Sequence, residues 1–475
     1  MPRSQAGAGK QPILGLGDEF YDEVKAADFP QAIPRFLNRR WAERVGLGDI
    51  DWERHFARFE PLPGNLPNPL ALRYHGHQFR QYNPEIGDGR GFLFAQVHDD
   101  RGRLLDLGTK GSGQTPYSRS GDGRLTLKGG VREVLATEML EALGVNTSKS
   151  FALFETGEEL WRGDEPSPTR SSVLTRLNHG HIRIGNFQRL AFFQQPENIA
   201  KLTRYCLQHL YGEQPVEDDA ENAARLFDLV CGATATLAAS YIAAGFVHGV
   251  LNSDNINVTG ESFDYGPWRF APEWDEEFTA AYFDHSGLYA FGRQPEAIHW
   301  DLAQLAGCLA MIGDAPALSE LLASWPNRFQ LALSDLLANW PARFEAALMD
   351  RMIARLGVAR ADDAADRALV SAMLKALRSR LIGIDRFFFD WRRGRNPTGQ
   401  LYGNPVFEDL RKALEGRARP LTHPYWSDQE PCSMLIDEVE EIWAAIADGD
   451  DWSKFDTKIQ AVRRMGEAMT SDAPA

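Results

Sequence analysis

Short apolar runs alternate with glycine clusters from Tyr74 to Arg189, and after Asn198 the pattern turns helical. In the first region, residues 92–97 and 104–110 read as strands, followed by a loop over 111–123. Val131, Val134, Leu135, Met139, Ala142 and Leu143 recur at helical spacing before Gly144, a natural stop. That spacing predicts a helix over 130–143, with further strands at 150–155 and 172–176. In the second region a long apolar-periodic helix over 222–244 ends at Gly245. Short strand pieces at 255–258 and 262–265 precede helices at 301–312, 316–323, 341–356 and 363–381. Two more helices, 434–446 and 456–468, fall in the tail. The residues before 70 are rich in Pro and Gly and hold one helix candidate, 32–45. The order predicts an α+β protein with two lobes and a cleft between them. Its parts are an N-terminal wrap segment (1–70), a β-rich lobe (71–190), a helical lobe (191–400) and a helical C-terminal extension (401–475).

Composition narrows the class. With 43% hydrophobic and 25% charged residues among 475, the chain can bury a large core, which excludes global disorder. A net charge of −15 argues against a nucleic-acid coat. The charge is uneven: residues 73–189 carry 16 Lys and Arg against 14 Asp and Glu, whereas the rest is strongly acidic. A basic island in an acidic chain points to a local anion site such as a phosphate pocket. Cys206, Cys231, Cys308 and Cys432 lie far apart with no CxxC, which fits a reducing compartment. Residues 1–17 lack the apolar segment of a secretory signal. The most apolar stretch, 233–247, is interrupted by Thr234, Thr236, Ser240 and Tyr241, and reads as a buried helix. The expectation is a cytoplasmic, bacterial, monomeric protein that binds neither membrane nor nucleic acid.

Four features carry chemistry. Gly87-Asp88-Gly89-Arg90-Gly91 precedes a strand; bare backbone N–H groups there can approach phosphate oxygens, with Arg90 as a charged fork. A tight turn needing φ > 0 explains the glycines equally well. No GxxxxGK[ST] and no GxGxxG occurs. Lys110 ends the next strand and can reach phosphates as a point charge. Its carboxylate partner is Glu133 or Glu138; periodicity does not decide between them. As members of an open site, Lys110 and Asp264 are expected to matter little to stability. The third feature is His248-Gly-Val-Leu-Asn252-Ser-Asp254-Asn255, with Asp264-Tyr265-Gly266 ten residues after Asp254. Asp254, Asn255 and Asp264 form a hard-oxygen set suited to Mg²⁺ or Mn²⁺. The Asp-Tyr-Gly triplet looks like the DFG of protein kinases, although HRD-x4-N is absent. Fourth, Arg176 and Arg183, seven residues apart, can clamp phosphates from one wall. His75 with His77, and His179 with His181, alternate as zinc ligands do, but no other Cys/His spacing supports a zinc site.

These residues resemble the selenoprotein O (SelO) family, a pseudokinase-like group. The matching stretches include Tyr74-His-Gly-His-Gln-Phe79, Gly87-Asp-Gly-Arg90, Lys110-Gly-Ser-Gly-Gln-Thr-Pro-Tyr-Ser-Arg119, Gly121-Asp-Gly-Arg124, Arg132-Glu133, His248 to Asn255, and Asp264-Tyr-Gly-Pro267. The match runs from about 70 to 310 and weakens after about 395. The resemblance implies a protein-kinase-like two-lobed fold that binds ATP flipped and transfers AMP to Ser, Thr or Tyr hydroxyls of proteins. By motif position it implies nucleotide contacts from Gly87, Gly89, Arg90, Lys110, Asp122, Gly123, Arg176 and Arg183. Glu133 would pair with Lys110, Asn255 and Asp264 would hold Mg²⁺ or Mn²⁺, and Asp254 would accept the proton. The competing readings are a kinase-type phosphotransferase, a UMP transferase and a non-catalytic nucleotide-binding pseudokinase. Many members pair a tail cysteine with one in the loop after the metal Asp. This chain has no cysteine after Cys432 and none in 267–289, so redox control is expected to be missing.

Overall fold

A computed structural model describes residues 11–163, 165–314 and 325–472. In chain order the strands are β1 (Tyr21–Glu23), β2 (Ile33–Leu37), β3 (Leu70–Leu72), β4 (Gly76–Gln78), β5 (Gln81–Asn83), β6 (Leu93–His98), β7 (Leu104–Lys110), β8 (Leu125–Thr126), β9 (Lys149–Leu160), β10 (Thr169–Asn178), β11 (Phe246–Val247) and β12 (Arg269–Phe270). The helices are α1 (Arg39–Arg44), α2 (Trp52–Phe56), α3 (Leu127–Ala142), α4 (Ile184–Phe192), α5 (Pro196–Tyr205), α6 (Asp219–Ala244), α7 (Gln294–Leu309), α8 (Trp325–Ala338), α9 (Trp340–Leu356), α10 (Asp363–Arg378), α11 (Ile384–Asp390), α12 (Glu408–Leu414), α13 (Ile436–Gly449) and α14 (Ser453–Ser471). The protein is thus mixed α and β, with strands concentrated before Asn178 and helices after it.

One antiparallel sheet runs β1-β3-β6-β7-β10-β9-β2, with β8 paired to β10. Both of its faces are covered. Leu93, Leu153 and Leu174 join Val131, Val134 and Leu135 of α3 in the main core. Phe94, Phe154 and Val173 face the other way, into Trp41, Trp52 and Phe56 from the N-terminal segment. Alternate side chains of a strand point to opposite faces, so a two-sided core is what such apolar strands require.

Most expected elements are present with their ends shifted by a few residues. The helix expected over 130–143 begins at Leu127, because the Thr126 side chain accepts a hydrogen bond from Gly129 N at 3.1 Å. Gly130 is needed within that helix for close packing: a Cβ there would stand 2.5 Å from Leu153 Cδ1. Two expectations fail. The helix candidate at 32–45 is strand β2 followed by α1. Pro34 lies in β2, an edge strand, where a missing donor is tolerated, and Asn38 then caps α1. The strand pieces at 255–258 and 262–265 form no strand; only single bridges, Arg183 to Asn257 and Thr147 to Ser262, occur there. Asx side chains take the backbone groups instead: Asn257 Oδ1 accepts from Thr259 N at 3.1 Å. The helix expected at 316–323 lies outside the described residues.

Several helices after Asn178 pack around α6. Among the described residues it is the one helix long and apolar enough to cross a membrane, and 72% of that apolar window is buried inside the protein. At the tail, α14 lies against α3, where Arg463 donates to both Glu138 oxygens at 2.7 and 3.0 Å.

Candidate active site

A cavity of about 690 Å³ opens between the sheet and the segment that carries Asp254 and Asp264. Its wall includes Gly87, Gly89, Arg90, Lys110, Asp122, Gly123, Arg176, Arg183, Asp254 and Asp264. Of the residues expected from sequence, only Glu133 and Asn255 stand off that wall.

Lys110 ends β7, in register with Leu174 of β10, and Arg176 lies two residues further along β10. Lys110 pairs with Glu133 of α3 and reaches Asp264 Oδ1 at 2.8 Å. Arg176 Nη1 reaches the same oxygen at 3.1 Å and Glu133 Oε1 at 4.0 Å. The choice between Glu133 and Glu138 is therefore resolved: Glu138 belongs to Arg463 and Glu133 to Lys110. Lys110 is 4% exposed and Glu133 fully buried, so this pair is not the open-site feature expected from the sequence. Burial alone would raise the Asp264 carboxyl. Lys110, Arg176, Arg90 and Arg183 together overcome that and hold it well below the usual carboxylate range. Asp264 takes a left-handed backbone, φ 63°, which Asp tolerates better than most residues.

Arg183 stands at the start of α4, its guanidinium 4.3 Å from the Tyr74 ring centroid and 3.2 Å from Asp88 Oδ1. Asp88 also accepts from Leu72 N at 3.0 Å, which ties the glycine turn to the sheet. Gly87, Gly89 and Gly91 do not have positive φ, so the turn-strain explanation for them is set aside. Close approach explains them: a Cβ would stand 2.5 Å from the Tyr117 ring at Gly87, 2.9 Å from Tyr117 O at Gly89 and 2.1 Å from Thr109 O at Gly91. The turn is the seat of the 111–123 loop.

Asp254 sits in a short 3-10 turn, Ser253–Asn255, held on both sides. Asn252 Oδ1 accepts from Phe79 N at 3.0 Å and Tyr289 Oη at 2.7 Å, and Ser253 Oγ accepts from His77 N at 2.7 Å. Asp254 is 7% exposed and its Oδ1 has no protein partner. Burial pushes its carboxyl up to about 6; Arg183 opposes the shift and Asp264 adds to it. A Cβ at Gly76 would stand 2.8 Å from that oxygen, so β4 closes directly over it. The Nε atoms of Arg176 and Arg183 and one oxygen of Glu133 are also buried without partners. Unmet donors and acceptors around one cavity are what a polar, charged ligand completes.

Asn255 donates through Nδ2 to Val250 O at 3.0 Å, which leaves its oxygen as the free acceptor. Both ion pairs of Asp264 fall on Oδ1. The set is two carboxylates and an amide oxygen, all hard ligands, and it fits a small divalent cation that takes its other ligands from water and phosphate. Among the described residues no group of three His, Cys, Asp or Glu side chains is placed to hold a metal alone. His75 is hydrogen-bonded to Tyr82 Oη at 2.7 Å, and His77 to Gln188 at 2.6 Å.

Sequence reasoning missed several residues. Tyr117 lines the cavity and donates to Asp22 of the N-terminal segment. Gln188 and Gln294 brace the Ser253–Asn255 turn and His248. Trp161 and Arg162 form part of the wall, and Arg162 binds both oxygens of Asp122, at 2.8 and 3.1 Å. Nothing in periodicity marks such residues, because their partners lie 40 or more positions away.

The cavity brings the buried cations Lys110, Arg176 and Arg183 together with the Asp254 carboxyl, one oxygen of which has no protein partner, and comparison with known proteins gives the class. The family model described as "Protein adenylyltransferase SelO" matches residues 10–428, and the chain belongs to that family. It is 39% identical over 480 residues to a protein nucleotidyltransferase YdiU of Synechocystis, covering 95% of this chain and 97% of the relative. It is 42% identical over 477 residues to the protein of that name in Gloeobacter violaceus, covering 95% and 94%. The chain is accordingly an enzyme of the nucleotidyltransferase class. The weakening of the match expected after about 395 is corrected, because the family match continues to 428 and the relatives cover nearly the whole chain.

Proposed function

We propose that this enzyme is a protein adenylyltransferase, moving AMP from ATP to Ser, Thr or Tyr hydroxyls of proteins, with pyrophosphate leaving. The observation that carries this reading is the meeting of buried Lys110, Arg176 and Arg183 in one cavity with an Asp254 carboxyl whose Oδ1 has no protein partner. In-line attack at the α-phosphorus concentrates charge on the leaving pyrophosphate. Lys110, Arg176 and Arg183 stabilise that charge from fixed, buried positions, so little reorganisation is needed during reaction, and the exposed Arg90 adds a further cation. Glu133 keeps Lys110 aimed. Asp254 takes the proton of the incoming hydroxyl, and burial makes it a stronger base than an ordinary surface carboxylate. Asn255 and Asp264 would hold Mg²⁺ or Mn²⁺. Bound there, such a cation neutralises phosphate charge. Gly87, Gly89, Asp122 and Gly123 complete the nucleotide wall. On the same reading the β-rich residues 71–190 are a kinase-like nucleotide lobe, 191–400 carry the acceptor and metal residues, and 1–70 and 401–475 brace them.

The test is incubation with a protein extract and ATP labelled at the α- or the γ-phosphate, with Mg²⁺ and with Mn²⁺. Label from the α-position on protein hydroxyls is expected. Label from the γ-position alone would replace this reading with a kinase.

A further inference from the structure

Trp161 is 74% exposed, yet it lines the cavity. Exposed tryptophan is uncommon, since its ring is among the largest apolar surfaces a chain can bury. Of the large apolar side chains left exposed among the described residues, Trp161 alone lies on this wall. The other cavity aromatics are committed: Tyr74 is buried against the Arg183 guanidinium, and Tyr117 packs on Gly87 and donates to Asp22. Among the described residues the Trp161 ring has no aromatic or cationic partner.

The strand register gives its place. Lys110 is opposite Leu174 on β10, whereas Leu160, the residue before Trp161, is opposite Thr169. Five residues of strand separate the two levels, at most roughly 17 Å, since a bulge between Arg170 and Ser172 shortens the run. The buried cations thus stand at one end of the cavity and Trp161 at the other, a separation that matches the reach of a nucleoside triphosphate. The far end is also fixed in position. Arg162 joins Asp122 through two hydrogen bonds, which ties the β9–β10 connection to the loop bearing Gly121 and Gly123. Its Nη1 also donates to Trp161 O at 3.1 Å, so the backbone of Trp161 is held to the same bridge.

We propose that Trp161 is the platform on which the nucleotide base stacks, and that it favours purine over pyrimidine nucleotides. This inference rests on the nucleotide reading above and adds the residue that senses the base. An indole face offers stacking to any base, and the two-ring purine covers more of it. The phosphate end cannot make that distinction, because every nucleoside triphosphate presents it with the same groups.

The experiment measures dissociation constants of the full chain for ATP, UTP and inorganic tripolyphosphate, in wild type, Trp161→Ala and Trp161→Phe. Trp161→Ala should weaken ATP roughly 10- to 100-fold, the range of one lost base stack. It should leave tripolyphosphate unchanged and narrow the preference for ATP over UTP. Trp161→Phe should keep most of the ATP affinity. Unchanged ATP affinity in Trp161→Ala, or equal weakening of ATP and tripolyphosphate, overturns the proposal while leaving the adenylyltransferase reading intact. A wild-type protein that binds tripolyphosphate but no nucleotide overturns both.

Discussion

Lys110 Nζ lies 2.8 Å from Asp264 Oδ1 and also pairs with Glu133, so one ammonium joins the end of a sheet strand, a helix and the loop that carries Asp264. The two carboxylates differ in burial, so removing the Asp264 charge should differ from removing the cation that buried Glu133 needs. Asp264→Asn keeps a residue that tolerates the left-handed backbone and removes only charge. It should cut transfer by about 10²–10³-fold and lower urea stability less than Lys110→Ala does, because Lys110 keeps Glu133 as its partner. Lys110→Ala should cut transfer by a similar factor and also destabilise the fold by about 3–5 kcal/mol, because Glu133 is left buried without its nearest cation. Equal stability of the two variants would contradict this division.

Asp254→Asn preserves the shape of the turn under β4. Nucleotide affinity should stay within a few-fold of wild type, while turnover falls by roughly 10²–10⁴-fold, the scale of a lost general base. Binding and single-turnover measurements separate the two effects. A variant that no longer binds ATP would make Asp254 a ligand-holding group and not the proton acceptor.

Much of this site was legible before the fold was known. Lys110, Arg176, Arg183, Asp254 and Asp264 stand out because their charges fall in or beside short apolar runs, where charge is costly unless used. An apolar run revealed β7, which is buried at every residue, and helical apolar periodicity revealed α6, which buries one face. The failures have a common cause. Asn255 to Tyr265 reads as strand by composition, but its Asn, Thr and Asp side chains compete for backbone hydrogen bonds. The choice between Glu133 and Glu138 needed Arg463, which lies 325 residues beyond Glu138 in the chain. Trp161 carries no sequence signal, since only its failure to be buried marks it.

Glu261 offers a separate check through pH. Burial pushes its carboxyl up to about 7 from an ordinary 4.5, with Lys149 opposing the shift. The folded state therefore holds a proton that the unfolded chain releases between these values. Stability from this group is complete below about 4.5 and declines by roughly 3 kcal/mol as pH rises through 7. In Glu261→Gln an acceptor remains for His179 N, which the carboxylate now meets at 2.7 Å, and the slope should flatten. Urea unfolding of both proteins from pH 4.5 to 8 reads the difference; parallel curves would refute the assignment.

Redox insensitivity is the next expectation. Cys206, Cys231 and Cys308 are buried and Cys432 is half-buried; all four are free thiols. Burial pushes the Cys432 thiol up to about 11 despite Lys458 nearby, so little thiolate exists at neutral pH. Transfer rates should be the same with and without dithiothreitol. A severalfold rise on reduction, with a disulfide through Cys432 in the oxidised protein, would show otherwise.

The most direct measurement is the nucleotide product formed as an acceptor protein is modified. With ATP and Mg²⁺, wild-type protein should release pyrophosphate in proportion to AMP attached, with no ADP formed, and Asp254→Asn should release almost none. Release of ADP with phosphate on the acceptor would contradict adenylyl transfer.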